Sequence, residues 1–250
     1  MKPGKKAARI LLPLLFWGGV WWLCALRVGQ ELLLPHPWTV LRELWTLAQT
    51  ADFWLAAAMT LLRVFSGAAM GILLGGGVAA LSARFAVLDW LFTPVVKVIR
   101  ATPVASFIIL VWLWSPTSWV PAVVSALMSL PVVWGAVGQG IRATDPQLLE
   151  LAAAYRFSPG KTLRLIYVPS VRPAFAAGCR TALGLAWKAG VAAEVLCLPK
   201  KAIGSQIYFS KLYLETPQLF AWTAVVILLS FLVERGVGAV LERGNARGTP

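Results

Sequence analysis

From Phe53 to Leu81 the chain carries a single charged side chain, Arg63. About 20 predominantly apolar residues are enough to cross the hydrocarbon core of a bilayer as a helix. Five more apolar segments recur along the sequence, at Ile10–Leu26, Leu88–Trp114, Trp119–Ile141, Pro173–Leu198 and Pro217–Val233. Together they predict an all-α polytopic membrane protein with six transmembrane helices. The third segment contains Lys97, Arg100 and Pro103, so it is not a plain lipid-facing helix. Composition points the same way. Hydrophobic residues make up 59% of the chain and charged residues only 13%, against about 25% in soluble domains. A water-soluble enzyme, a disordered chain and a disulfide-stapled secreted domain are all excluded.

The net charge of +13 would suggest nucleic acid in a soluble protein. In a membrane protein its position along the chain decides its meaning, because Lys and Arg accumulate in cytoplasmic connections. With the N-terminus inside, the inner side holds Lys2, Lys5, Lys6, Arg9, Arg84, Arg142, Arg156, Lys161, Arg164, Arg172, Arg235, Arg243 and Arg247, and the outer side holds Arg27, Arg42, Lys200, Lys201 and Lys211. Both termini are therefore expected in the cytoplasm, and nucleic acid is not an expected partner. Arg63, Lys97, Arg100, Arg180 and Lys188 fall within spans. The charged N-terminus and first apolar run resemble a signal peptide, but Ile10–Leu26 is long for a signal core and Leu23 is too large to precede a lipidated Cys24. An uncleaved span is expected.

Cys24, Cys179 and Cys197 have no paired or metal-binding spacing, and the lone His36 sits between two prolines. No metal or cofactor site is expected, nor any nucleophile with a base. On the outer side, residues 37–50 place Trp38, Leu41, Leu44, Trp45 and Ala48 on one face of a helix, as an interfacial helix anchored by tryptophan or as a packed connector.

The most polar interior segment is 144–169. Asp145 is a suitable N-cap, Pro146 suits the first helical position, and the following residues to Tyr155 are strong helix formers. Ser158-Pro159 repeats that start signal before a second short helix, Lys161–Tyr167, which Pro169 is expected to end. Leu148, Leu149, Leu151, Ala152 and Tyr155 offer apolar area beside Glu150 and Arg156. Such a helix pair suits either docking to a soluble partner or lying flat on the membrane.

Glu150, Ala152, Ile166, Val168 and Pro169 resemble the EAA motif of ABC importer permeases: Glu-Ala-Ala, three residues, Gly, nine residues, Ile-x-Leu-Pro. Leu151, Val168 and Arg156 depart from it, and Arg156 stands where glycine makes a positive φ easy. Other stretches are similar to the branch of permeases for nitrate, taurine and aliphatic sulfonates: Leu61 to Gly67 with Gly71 and Gly75, Arg100-Ala-Thr-Pro103, Leu183 to Trp187, Ala192-Ala-Glu194, and Ile203-Gly204. The similarity runs from about Thr60 to Glu234. It implies a type I ABC importer permease of the MetI-like fold in a bacterial inner membrane. Residues 1–52 would be tail, first span and outer helix, and 53–250 the permease core. The loop 144–169 would couple to a separate ATPase through Glu150, Ala152, Ala153, Tyr155, Arg156, Ser158, Ile166 and Pro169. An extracytoplasmic solute-binding protein and a second permease copy would complete the assembly. No GxxxxGK[ST] phosphate loop occurs in the chain, in keeping with ATP hydrolysis on another subunit.

Two stripes of small residues, Gly67, Gly71 and Gly75, and Ala174, Gly178, Ala182, Ala186 and Gly190, would let helices approach closely in lipid. A basic residue at mid-span costs about 2.5–3.5 kcal/mol on insertion scales. Arg180, Trp187 and Glu194 are seven apart, opposite the second stripe, and Lys97 and Arg100 are one turn apart. Lys97, Arg100, Pro103, Arg180, Trp187, Lys188 and Glu194 are therefore expected to line a positive path for an anionic solute, with Glu194 paired to one of its cations. The same charges would otherwise reach the interfaces, as for Arg63 and Arg180, or only hold helices together, as in a Lys188–Glu194 pair. A stand-alone secondary transporter or channel would favour inverted repeats and several intramembrane acids, whereas Glu194 is the only acid well within a span. An intramembrane enzyme would need clustered catalytic groups, which a lone loop histidine does not supply.

Overall fold

The computed structural model describes residues 3–246, and every regular element among them is helical. Lys2 and Arg247, counted above toward the cytoplasmic side, lie outside these residues. The helices are α1 (Pro3–Val28), α2 (Pro37–Ala48), α3 (Ala51–Arg84), α4 (Ala86–Ala101), α5 (Val104–Trp114), α6 (Val120–Arg142), α7 (Pro146–Ala154), α8 (Pro159–Thr162), α9 (Val168–Cys197), α10 (Ile203–Leu212) and α11 (Thr216–Ala246). Among the described residues, α1, α3, α6 and α11 are each long and apolar enough to span a membrane. With 30 residues α9 is long enough as well, but Arg172, Arg180, Lys188 and Glu194 dilute its apolar character.

The third expected span is not one straight helix. It is broken between α4 and α5, which meet at 109°. Thr102 is extended at the break, and Pro103 caps α5. The cause is local: a residue before proline is disfavoured in the helical region, and the proline ring clashes with the preceding turn and supplies no amide to it.

The core is built around α6, which packs most extensively against α3 and α9. Gly67, Gly71 and Gly75 make the first contact possible. A Cβ added at any of the three would strike the α6 backbone, at Ala122, Ala126 and Leu130 respectively. The second stripe serves the other side of α6: Gly178 lies against Ala136, and Gly190 against Ser125 and Val64. Close packing of this kind drives helix association where lipid is as apolar as the side chains. Ser125 adds a polar tie, its hydroxyl donating to the Ala186 carbonyl at 3.1 Å.

Outside this core, α2 presents two faces. Leu44, Leu47 and Ala48 pack onto a cluster formed by Phe53, Ala56, Ile203 and Trp222, while Trp38 and Trp45 remain exposed. One flank is thus a packed connector and the other presents tryptophan outward. The segment after α9 contains its own helix, α10, whose first turn, Ile203 to Ser205, is buried.

Candidate functional site

The most polar buried site sits where α3, α9 and the start of α10 converge. Glu194 is fully buried and Arg63 is 9% exposed. The Arg63 Nη1 donates to Glu194 Oε1 at 3.4 Å and to the Lys201 carbonyl at 3.2 Å, and its Nη2 donates to the Lys200 carbonyl at 2.9 Å. The other Glu194 oxygen accepts from the Thr60 hydroxyl at 2.8 Å and from the Gly204 amide at 3.2 Å. Thr60 in turn accepts from the Ile203 amide at 3.0 Å. Every charged group here is both paired and hydrogen-bonded, the condition under which a buried ion pair persists. Gly204 is required by contact, because a Cβ there would collide with Glu194 Cβ. Leu198 and Lys201 adopt left-handed φ values of 52° and 54°, folding the connection back onto the pair.

This corrects the pairing expected for Glu194. Its partner is Arg63, not Lys97, Arg100, Arg180 or Lys188, and Arg63 turns inward to the node. Trp187 also faces inward, packed with Val64, Ala68 and Val191. Arg180 points toward α11, donating to the Gly238 carbonyl at 3.5 Å. The three residues spaced by seven thus share a flank of α9 that meets α3 and α11, where Trp187 and Glu194 are buried and Arg180 remains exposed.

Lys97, Arg100, Pro103 and Lys188 are exposed. Lys188 belongs to a strip along α9, with Thr181, Leu185, Ala192 and Leu196, that is exposed among the described residues. Arg100 reaches back from α4, its Nη2 donating to the Pro131 carbonyl in α6 at 2.6 Å. Gly135 leaves the notch that admits it, since a Cβ there would lie 2.6 Å from the same nitrogen. Arg100 therefore braces the elbow between α4 and α5 against the core.

At the other end of the molecule, Asp145 caps α7 by accepting from the Gln147 amide at 2.9 Å. Helix α7 closes with paired bonds: the Phe157 amide to the Ala152 carbonyl at 2.9 Å and the Arg156 amide to the Ala153 carbonyl at 3.0 Å. This is the Schellman pattern, which places the residue after the cap in the left-handed region. Arg156 occupies that place with φ 51°. The bend that glycine would ease is thus made by arginine, with the strain a Cβ brings there of about 1 kcal/mol. Ser158 caps the second helix by accepting from the Lys161 amide at 3.4 Å, and the Lys161 ammonium sits 4.0 Å above the Phe157 ring.

That second helix does not stop at Pro169. Residues Leu163–Tyr167 form a π turn that runs directly into α9, with the Val168 amide bonded to the Leu163 carbonyl. Proline lacks the amide that continuing the helix would require, and the wider turn relieves its clash with the preceding turn. Ala152 and Ile166 are buried within the loop, whereas Glu150, Ala153, Tyr155, Arg156, Ser158 and Pro169 are exposed. Leu148, Leu151, Tyr155, Leu163 and Leu165 all present apolar surface outward.

Sequence reasoning missed Thr60, Arg63 and Gly204 as partners of Glu194, and Gly135 as the seat of Arg100. One signal was available for the first group: an acid inside a span needs a buried cation or proton donor, and Arg63 lies in an otherwise uncharged run.

The sequence pattern of the family described as binding-protein-dependent transport system inner membrane component matches residues 67–243. The taurine transport system permease protein TauC of Escherichia coli (strain K12) is 27% identical over 237 residues, which cover 90% of this chain and 84% of TauC. The putative aliphatic sulfonates transport permease protein SsuC of Bacillus subtilis (strain 168) is 26% identical over 252 residues, covering 97% and 89%. SsuC of Escherichia coli (strain K12) is 26% identical over 235 residues, covering 92% and 88%. Among solved structures, a chain of an amino acid ABC transporter crystallised with histidines superposes with a TM-score of 0.59 at 18% identity, over 76% of this chain and 91% of that one. That likeness shows the fold.

Proposed function

The chain belongs to the family of binding-protein-dependent transport system inner membrane components, and from that membership we propose that it forms the path for a small anionic solute of the sulfonate type and docks a separate ATPase through residues 144–169. The observation that carries the docking role is the loop itself. It is a doubly capped helix pair with Leu148, Leu151 and Tyr155 exposed, and it runs without a break into α9. An apolar surface held this rigidly suits a groove on a partner. In this reading the loop and both termini are cytoplasmic in a bacterial inner membrane. An extracytoplasmic binding protein delivers solute to the opposite face, and a second copy of the chain faces the exposed strip of α9.

The test uses exposed positions, because Ala152 is buried within the loop and a change there would disturb the loop itself. Glu150→Lys and Tyr155→Asp are expected to abolish co-purification of the ATPase, or to leave hydrolysis that no longer follows solute uptake. A complex that stays intact and fully active with both changes rules out docking at this loop.

For the path, the exposed cations Lys97 and Lys188 are assigned to the anion, together with Arg100 and Pro103 at the elbow. Trp187 and Glu194 support the path from behind by fixing α9, and Arg180 does so by tying α9 to α11. Hydrogen bonds to a charged group are worth about 1.5–3 kcal/mol. Lys97→Met and Lys188→Met should therefore each lower uptake of a sulfonate by about tenfold or more in the reconstituted complex. Unchanged uptake in both variants would remove these lysines from the path. Two relatives whose names specify sulfonates, and one whose name specifies taurine, support the solute class.

A further inference from the structure

Arg156 sits where α7 turns into α8, midway between the end of α6 at Arg142 and the start of α9 at Val168. We propose that it selects the ATPase: its guanidinium pairs with a carboxylate on the rim of the groove that receives α7. This rests on the docking role of the loop and adds to it the residue that reads the partner.

Three observations carry it. The first is a cost with no return inside the chain. Arg156 holds φ 51°, a conformation that glycine adopts freely and a Cβ disfavours. Its side chain is exposed, and among the described residues it makes no hydrogen bond, ion pair or ring contact. The acids of the loop do not serve it. Asp145 caps α7 through the Gln147 amide, and Glu150 is exposed and unpaired among the described residues. The second is rigidity. The Arg156 and Phe157 amides are bonded to the Ala153 and Ala152 carbonyls, and Lys161 lies over the Phe157 ring. The backbone at Arg156 is therefore fixed while its guanidinium is free, which limits the ordering that binding must impose. The third is position. Leu148, Leu151 and Tyr155 are exposed at helical spacing along α7, and Arg156 follows directly at the end of that apolar strip. Tyrosine and arginine are enriched where protein partners meet, and charge is kept to the rim of the apolar contact. Arginine presents a planar fork that fits a carboxylate with two parallel bonds. A cation without an internal partner, at the rim of an apolar strip, is complemented by an acid on the partner.

The test titrates the purified ATPase subunit of the same system against the full-length chain, in detergent and in nanodiscs containing phosphatidylglycerol. Arg156→Gly and Arg156→Asn both accept the left-handed bend, so the melting temperature should not fall. Affinity should nevertheless drop by about fivefold, the upper end for an exposed ion pair, and lose part of its salt dependence. Arg156→Glu should weaken binding further, and changing one rim carboxylate of the ATPase to lysine should restore it. Unchanged affinity in Arg156→Gly and Arg156→Asn, while Glu150→Lys or Tyr155→Asp releases the ATPase, would overturn the assignment and leave docking at the loop standing. If all four variants bind normally, docking at the loop falls as well. A loss seen only in the nanodiscs would give Arg156 to the membrane surface, and a lower melting temperature alongside the loss would trace it to the bend. Either result overturns the pairing, as does failure of every rim lysine to restore binding of Arg156→Glu.

Discussion

Replacing Glu194 with alanine is expected to destabilise the folded chain by about 3–5 kcal/mol, the cost of stranding one member of a buried ion pair. The change would leave the Arg63 guanidinium without its carboxylate, and the Thr60 hydroxyl and Gly204 amide without their acceptor. Thermal unfolding of the purified protein measures it. Arg63→Met should cost a similar amount. The double variant, Arg63→Met with Glu194→Leu, should recover much of the loss, because it removes both charges together and leaves apolar volume in their place. A Glu194→Ala protein that melts with the wild type would show that the node contributes nothing to stability.

Gly71→Leu is expected to have the next largest effect. The Cβ alone would fall on the Ala126 carbonyl oxygen and 2.8 Å from Ser129 Cβ, so α3 and α6 would have to part along their main contact. Overpacking by a few methylenes costs about 1–3 kcal/mol where neighbours can shift. Here the obstacle is backbone, so the loss should reach the top of that range, read as a lower melting temperature. Gly77→Leu is the control. It lies six residues further along the same helix, with nothing within 4 Å of its would-be Cβ, and should melt with the wild type. Equal losses at both positions would mean that contact with α6 does not set the cost.

Much of the fold was legible because apolar runs and caps are local signals. Asp145, Pro146, Ser158 and Pro159 start α7 and α8 where their chemistry says helices start, and the small-residue stripes face a neighbouring helix as their spacing suggests. Two prolines were misjudged in opposite directions. Span length favoured one continuous helix through Pro103, yet the extended Thr102 breaks it. Pro169 was expected to end a helix, yet a wider turn carries the chain through it. In each case the outcome depends on whether neighbouring hydrogen bonds can be rearranged, which residue type alone does not decide. The partner of Glu194 was illegible for a different reason. Arg63 is 131 residues away, and a helical wheel drawn on α9 orders its own faces without saying which other helix covers each. The same limit applied to Trp187 and Arg180, which share the flank expected for them but meet α3 and α11 there.

The unbroken passage from the 144–169 loop into α9 has a mechanical consequence. From Pro173 to Cys197 the helix is a rod of about 36 Å, with the loop at one end and the Glu194 node near the other. A tilt of about 10° imposed at the loop would swing the far end by about 6 Å. That is twice the reach of a hydrogen bond. Such a swing must either carry Thr60, Arg63 and Gly204 with it, moving α3 and the root of α10, or shear the node apart. The lever therefore has two modes at its far end, concerted displacement or rupture.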